Sequence, residues 1–272
     1  MEKLSGKDLR LMAAKARLLA VDEVYTAASG HPGGSLSCTD ILTALYFNEM
    51  NVDPAQPKWS GRDRFVLSKG HCSPALYAVL ALRGFFPTED LKLFRSIKAH
   101  LSGHPDMNHV PGVDMSTGSL GQGLSTAVGM AMAAKLRGQS HRCYALCGDG
   151  ELAEGQIWEA AMAASAYRTG NLVAIVDNNG LQANGRLKDR LDSGSIAAKF
   201  LAFGWNVVEI DGHDMEQILT ALDSVDPSRG QPTAIIAHTV KGKGLSFAEN
   251  VASYHNSALT AEAYRQALEE LA

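Results

Sequence analysis

The chain has 272 residues, of which 46% are hydrophobic, and a net charge of −4. This size and composition predict a single folded domain over residues 1–272 with a substantial core. The charge lacks the basic excess that attracts nucleic acid or an anionic membrane, and the four cysteines lack the paired spacing of a zinc site. We therefore predict that the protein binds neither nucleic acid nor a membrane, and that its thiols have no redox role.

The amino terminus gives no sign of export. Residues 1–3 lead directly into an amphipathic segment, without the charged region and apolar stretch of a signal peptide. The longest apolar stretch, residues 127–134, is far shorter than the ~18 residues that a membrane helix needs. We therefore expect a cytoplasmic protein.

The first half of the chain is mainly helical by its apolar spacing. The pattern predicts a helix over residues 7–29 that stops at Gly30, and a glycine-rich loop over residues 30–34. It then predicts a helix over 37–49 and a short buried strand over 64–68. Two further helical patterns cover 73–83 and 88–97.

The second half alternates strands and helices. Strands are predicted at 144–146, 172–177, 205–210 and 233–238, and helices at 123–137, 155–169, 195–203 and 214–223. This alternation predicts an α/β fold, a mainly parallel sheet with helices on both faces. Sheets of this type bind ligands beyond the carboxyl ends of their strands.

Two polar motifs follow neighbouring predicted strands. Gly148-Asp149-Gly150 comes after the strand near 144, and Asn178-Asn179-Gly180 after the next one. Each motif alone is typical of a turn. Together they place a carboxylate and an amide oxygen at the same sheet edge, and Mg²⁺ prefers such oxygen ligands. The flanking glycines and the helix beginning near Gln156 suit a diphosphate, so the pair indicates a metal-bridged diphosphate site.

Nucleotide-binding alternatives fit less well. No P-loop occurs, and the glycines of residues 118–123 are not in the order of the dinucleotide fingerprint. The Lys-Gly-Lys-Gly run at 241–244 is expected to be a solvated loop, not a phosphate clamp.

The stretch 148–179 resembles the thiamine-diphosphate motif, in which Gly-Asp-Gly is followed by Asn-Asn about thirty residues later. Here Asp149 and Asn179 are 179 − 149 = 30 positions apart. Residues 29–33 (SGHPG), 68–71 (SKGH), 103–105 (GHP) and 117–123 (TGSLGQG) are similar to motifs of transketolases in particular. The resemblance covers essentially the whole chain and implies the thiamine-diphosphate-binding fold.

The resemblance also implies a cofactor site. Asp149, the side chain of Asn179 and the backbone carbonyl of Leu181 would hold Mg²⁺, for which Ca²⁺ or Mn²⁺ could substitute. The remaining contacts with thiamine diphosphate would come from His71 and Gly150 at the diphosphate, Leu120 at the thiazolium ring, and Gly118 and Gly148 in the flanking loops.

Three histidines, His31, His104 and His255, resemble the family's histidines around the hydroxyls and carbonyl of the ketose donor. Glycine flanks His31, His71 and His104, so a ligand can approach the backbone there, and the near-neutral pKa of histidine suits proton transfer. The resemblance also counts Glu154 with the cofactor site, since it resembles a glutamate that reaches the cofactor-activating glutamate of the neighbouring subunit. The other histidines are expected to be structural: His100, His109, His141, His213 and His238.

In the family, a pyrimidine-binding domain and a C-terminal domain follow the part that this chain resembles, and neither is present before Ala272. The resemblance therefore implies a transketolase subunit that works with a second chain as an α2β2 complex on sugars or sugar phosphates. Two alternatives are a non-catalytic thiamine-diphosphate-binding protein and the α chain of a 2-oxoacid dehydrogenase. The GHPGG and SKGH stretches favour transketolase, and His31 and His104 favour an enzyme.

Overall fold

Five parallel strands form the central sheet of the computed structural model, which describes residues 3–97, 99–192 and 194–272. Their order is β1-β2-β3-β7-β6, and the strands are β1 (Arg64–Leu67), β2 (Cys143–Gly148), β3 (Leu172–Asn178), β6 (Asn206–Asp211) and β7 (Thr233–His238). Strands β4 (Leu181–Gln182) and β5 (Gly185–Arg186) form a separate antiparallel hairpin. The predicted parallel α/β fold is confirmed. Residues 1–2, considered above for export, lie outside the described part.

Helices cover both faces of the sheet. They are α1 (Gly6–Thr26), α2 (Pro32–Ser37), α3 (Thr39–Ala44), α4 (Ser73–Arg83), α5 (Gln122–Leu136), α6 (Gly155–Ala166), α7 (Ile196–Ala202), α8 (Met215–Asp223) and α9 (Ala261–Glu270). Alternate strand residues enter two separate cores, because successive side chains point to opposite faces. Tyr144 and Leu146 pack with α1, α3, α4 and α8, whereas Cys143 and Ala145 pack with α5, α6 and α7.

Within the described ranges, no helix is both long and apolar enough to cross a membrane.

The segment predicted as a glycine-rich loop is in fact helical from Pro32 onward. Proline is favoured at the first position of a helix, so α2 begins there. A side chain on Gly33 would meet Tyr254 O at 2.9 Å, and one on Gly34 would meet Cys72 Sγ at 2.7 Å. These glycines therefore allow close packing of neighbouring segments and do not mark a loop.

Other boundaries also differ from the prediction. Helix α1 ends at Thr26 instead of residue 29, because Ala28 adopts a φ of 48° and ends the helical path. The predicted helix over 88–97 is a 3-10 turn at Thr88–Leu93. Helix α9 was not predicted, although Thr260 caps it by accepting a hydrogen bond from Ala263 N at 3.1 Å.

Glu23, on α1, is a buried carboxyl group. It is 1% exposed, and neither carboxyl oxygen has a hydrogen-bond partner among the described residues. Burial, together with the charge of Asp22, raises the pKa of Glu23 well above its usual value of 4.5. The folded state therefore holds this proton more tightly than the unfolded state, and the group reduces stability increasingly as the pH rises above about 4.5.

We expect Glu23→Met to raise the free energy of unfolding at pH 8 by about 1–3 kcal/mol, the usual cost of an unsatisfied buried polar group. The gain should shrink towards pH 4, where the glutamate is protonated in both states. Urea unfolding at the two pH values measures this difference, with Glu269→Met on the exposed face of α9 as the control. An equal gain at both pH values would contradict the ionisation argument.

Candidate functional site

A cavity of about 160 Å³ lies at the carboxyl ends of the strands and brings most of the predicted site residues together. The predicted residues that line it are His71, Leu120, Gly148, Asp149, Gly150, Asn179, Leu181 and His255. A larger cavity, of about 600 Å³, adjoins it and shares Asp149, Asn179 and Leu181. The convergence follows from the fold, because all parallel strands end at the same edge.

Asp149 follows β2 and is held by backbone amides. One carboxyl oxygen accepts a hydrogen bond from Gly150 N at 2.7 Å, and the other accepts one from Gly180 N, which follows β3. Burial, reinforced by the charge of Asp177, raises the pKa of Asp149 to about 6. No Lys, Arg or His nitrogen of the described chain lies within 4 Å of this carboxylate as an ion-pair partner. The site thus holds a buried carboxylate that lacks a counter-ion at contact distance.

The two other predicted metal ligands lie beside Asp149. Asn179 Oδ1 accepts a hydrogen bond from Leu181 N at 3.1 Å, and Leu181 O accepts one from Lys241 Nζ at 3.0 Å. Within the described ranges, no group of three His, Cys, Asp or Glu side chains is arranged to bind a metal. A cation at this site would therefore depend on a mixed set of one carboxylate, one amide oxygen and one carbonyl oxygen. Mg²⁺ accepts such a set when phosphate oxygens and water complete its shell.

Lys241 corrects the prediction of a solvated loop at 241–244. It is 2% exposed, lines the cavity, and places Nζ 3.0 Å from His255 Nδ1. Its side chain thus provides a buried positive charge beside the predicted diphosphate site. A lysine in a Lys-Gly-Lys-Gly run is expected to be exposed to solvent. Lys241 is buried because this loop packs against Gly33 of α2.

Sequence reasoning also missed a buried ion pair in the wall of the cavity, which Lys69 lines. Lys69 Nζ donates to the carboxylate of Asp177, which also accepts hydrogen bonds from the hydroxyl groups of Ser37 and Thr239. Burial alone would lower the pKa of Lys69, but the charge of Asp177 raises it well above its usual value. Lys69 Nζ donates as well to Gly34 O at 2.7 Å, so the pair joins the end of β3 and the segments that follow β1 and β7 to α2.

Glu151 fixes the loop that contains Gly118 and Leu120. Its carboxylate accepts hydrogen bonds from the hydroxyl of Ser68, from Gly121 N at 2.8 Å and from Gly148 N at 3.0 Å. Burial raises the pKa of Glu151. Glu151 was missed because it directly follows Gly148-Asp149-Gly150 and resembles an ordinary turn residue in the sequence.

Gly118 lies outside the small cavity. A side chain on Gly118 would come within 3.0 Å of His104 Cδ2, and one on Gly70 would come within 2.8 Å of Gly118 N. Gly118 thus packs between the His104 segment and the segment that follows β1.

Four histidines form a cluster next to the cavity. The ring of His31 lies 5.1 Å from that of His71, 5.5 Å from that of His255 and 6.4 Å from that of His104, measured between centroids. Burial and the charge of His71 lower the pKa of His31 to about 4, and burial and the charge of Lys241 lower that of His255 to about 4. Burial also lowers the pKa of His104. His31, His104 and His255 are therefore neutral near pH 7 and able to accept or donate hydrogen bonds.

The remaining predicted residues lie elsewhere. Glu154 is exposed at the start of α6. His213 bridges Asp40 and Val240 N at 2.8 and 2.9 Å, which makes it a structural link between α3 and the segment after β7. His109 and His238 are exposed and paired with carboxylates. These three histidines take no part in the cluster.

Fold and site define an α/β protein with a buried, oxygen-rich pocket at the carboxyl edge of a parallel sheet. Residues 9–272 match the family model described as transketolase, thiamine diphosphate binding domain. The chain therefore belongs to this transketolase family.

Several relatives are transketolase subunits of similar length. The chain is 46% identical over 263 residues to an apulose-4-phosphate transketolase subunit of Phocaeicola vulgatus, covering 97% of this chain and 93% of that one. It is 45% identical over 264 residues to the 6-deoxy-6-sulfo-D-fructose transketolase subunit SqwG of a Clostridium species, covering 97% and 96% of the two chains. The crystal structure of transketolase from Campylobacter jejuni superposes with a TM-score of 0.92 at 36% identity, covering 98% of this chain and 43% of that one. The protein is thus the thiamine-diphosphate-binding part of a transketolase enzyme.

Proposed function

We propose that this chain holds thiamine diphosphate and a divalent cation at the ends of β2 and β3. With a second chain, it then transfers a two-carbon ketol unit from a ketose to an aldose. The observation that supports this most directly is the meeting of Asp149, Asn179, Leu181 and His71 around one cavity. Residues from three separated stretches, 68–71, 148–150 and 178–181, converge there, as a cofactor site requires.

The oxygens of Asp149, Asn179 and Leu181 would hold Mg²⁺, or Ca²⁺ or Mn²⁺ in its place. The set fits a cation because the Asp149 carboxylate is buried and no positively charged group of the described residues contacts it. In the present structure Lys241 Nζ donates to Leu181 O, the carbonyl that the cation would use. Lys241 lines the same cavity, so its charge would stabilise a diphosphate bound there.

His71, Lys241 and Gly150 would contact the diphosphate, with Gly148 in the same turn. A side chain on Gly150 would lie 3.3 Å from Gln182 Cβ, so glycine there keeps the turn open to a ligand. Leu120, which lines the cavity, would lie against the thiazolium ring, and Gly118 begins the loop that carries it. Two buried polar atoms, His31 Nδ1 and Thr117 Oγ1, have no partner among the described residues and are free for a ligand.

Bound thiamine diphosphate supplies a nucleophilic carbon that can attack a ketose carbonyl. The role of His31, His104 and His255 would be to orient the sugar and to move protons at its hydroxyl and carbonyl oxygens. Their lowered pKa values support this role, because neutral imidazoles can both donate and accept near pH 7.

The second chain would carry the pyrimidine-binding domain, in an α2β2 complex. Support comes from the relatives named as subunits and from three exposed large apolar side chains, Leu136 on α5, Met162 on α6 and Tyr167 directly after α6. Exposed apolar surface of this kind marks interaction sites. Glu154 is exposed near the start of α6, where it can reach a neighbouring protomer. We place the complex in the cytoplasm, where its four buried free cysteines stay reduced.

Reconstitution tests the two-chain proposal. We expect the purified chain to show no ketol transfer alone and to regain it when mixed with a chain that carries the pyrimidine-binding domain. Coupled assays with phosphorylated and unphosphorylated ketoses measure the activity, and mass photometry measures the assembly. A Met162→Glu variant should weaken assembly, because it places a charge within the apolar surface, whereas Glu269→Gln should not. Sustained turnover by the isolated chain would contradict the proposal.

A further inference from the structure

Arg95 is one of four non-glycine residues in the described part of the chain with a left-handed backbone. It adopts a φ of 60°, in the left-handed region, where a non-glycine residue is disfavoured by roughly 1–2 kcal/mol. Its backbone N donates to Leu101 O at 2.8 Å, which fixes this conformation. Glycine or asparagine would adopt it at lower cost. Arg168 has a similar φ of 53° at an exposed position, so the case for a function of Arg95 depends on the contacts of its guanidinium group.

The guanidinium group of Arg95 is half-buried and only partly paired. Nη1 donates to Ser29 Oγ at 2.5 Å, and the group lies 5.5 Å from the centre of the Phe94 ring. Nε is buried and has no hydrogen-bond partner in the described part of the chain. No carboxylate described by the structure lies within ion-pair distance of it. A buried donor on a cation without a counter-ion is costly unless a ligand satisfies it.

Gly103 makes room for this group. A side chain at Gly103 would lie 2.8 Å from Arg95 Nε and 2.9 Å from Nη2. The glycine that precedes His104 thus lets the guanidinium group lie against the backbone in its present position. The Gly103-His104-Pro105 motif therefore has two roles. It contributes His104 to the histidine cluster, and its glycine packs against Arg95, which precedes Gly103 by 103 − 95 = 8 positions.

The charges around the histidine cluster show where Arg95 lies. The charge of Arg95 contributes to the lowered pKa values of His31 and His104, whereas the charge of Lys241 contributes to that of His255. Lys241 lines the cofactor cavity. Contacts place Arg95 beside His31 and His104, because it donates to Ser29, two positions before His31, and packs against Gly103, the residue before His104.

We propose that Arg95 is a specificity-determining residue that binds an oxygen of the sugar beyond the carbons that react. This inference rests on the proposed function, which makes the His31–His104 side the sugar channel. Nε and Nη2 form a planar donor pair that fits a phosphate or two adjacent hydroxyl groups. Ser29 and Gly103 hold the guanidinium in place for that contact.

The test uses the reconstituted complex with hydroxypyruvate as a fixed donor and three acceptors: ribose 5-phosphate, ribose and glycolaldehyde. We expect Arg95→Gln to lower kcat/KM for ribose 5-phosphate, relative to glycolaldehyde, by about 10- to 100-fold, the loss typical of a charge-assisted hydrogen bond. Glycolaldehyde has no distal oxygens, so effects on the donor or on folding cancel in the ratio. Arg95→Lys should restore part of it, and Arg229→Gln, at an exposed arginine, should change nothing.

A loss shared by ribose and ribose 5-phosphate assigns the contact to hydroxyl groups, and a loss confined to ribose 5-phosphate assigns it to the phosphate. An unchanged ratio for both long acceptors overturns the proposal. Calorimetric binding of ribose 5-phosphate to the cofactor-loaded complex gives a second readout, in which Arg95→Gln should bind more weakly. If the wild-type complex binds this sugar but shows no ketol transfer, the proposed function fails. The calorimetric comparison of the wild type with Arg95→Gln then still tests the Arg95 contact.

Discussion

Asp149→Ala is expected to weaken the magnesium-dependent binding of thiamine diphosphate by about 10²- to 10³-fold. The expected size is that of removing one partner from a buried charge interaction. Asp149 is the carboxylate among the three proposed ligands, and it is 3% exposed. Calorimetry with the cofactor and Mg²⁺, in the presence of the partner chain, measures the loss.

Asp149→Asn separates charge from loop structure. The carboxylate also accepts hydrogen bonds from Gly150 N and Gly180 N, and asparagine can keep one of them. If the charge holds the cation, Asn should bind nearly as poorly as Ala, and both variants should melt as cooperatively as the wild type. Unchanged affinity in a folded Asn variant would refute the metal assignment.

Alanine at His31 or His104 should reduce sugar turnover by about 10²- to 10⁴-fold, the usual cost of removing a positioned acid or base. Cofactor affinity should stay near that of the wild type, because neither ring lines the cavity that contains Asp149. Steady-state kinetics of the complex and cofactor titration together give the two values.

His109→Ala is the matched control, since His109 is an exposed histidine paired with Asp106. It should leave kcat unchanged. Parental turnover in the His31 or His104 variant, with normal cofactor binding, would exclude a proton-transfer role for that residue.

The sequence predicted those parts of the site that depend on strand ends. Asp149 and Asn179 follow adjacent strands of a parallel sheet, so their meeting at one edge follows from the order of the elements. Lys241 was predicted wrongly and Lys69 was not considered, because their burial depends on how distant loops pack. No local pattern shows that Lys69 lies against Asp177, 108 positions away.

Some helix boundaries were predicted wrongly for a different reason. Glycines at 33 and 34 indicated a loop because glycine weakens helices. The structure uses them to let α2 approach Tyr254 and Cys72 closely, a tertiary requirement that outweighs local preference. Nothing in the sequence indicated a role for Arg95 either, because its left-handed backbone has no sequence signature comparable to that of glycine.

The Lys69–Asp177 pair determines how much negative charge the pocket offers to a cation. Asp177 lies close enough to raise the pKa of Asp149, and without Lys69 the two carboxylates would repel each other across the ends of β2 and β3. With Lys69 in place, one of these charges is already neutralised from inside the protein. Among the three proposed cation ligands, Asp149 is then the one carboxylate, so a divalent ion bound there would retain positive charge for the diphosphate. A monovalent ion would retain almost none, so the Lys69–Asp177 pair would favour a divalent ion between protein and cofactor.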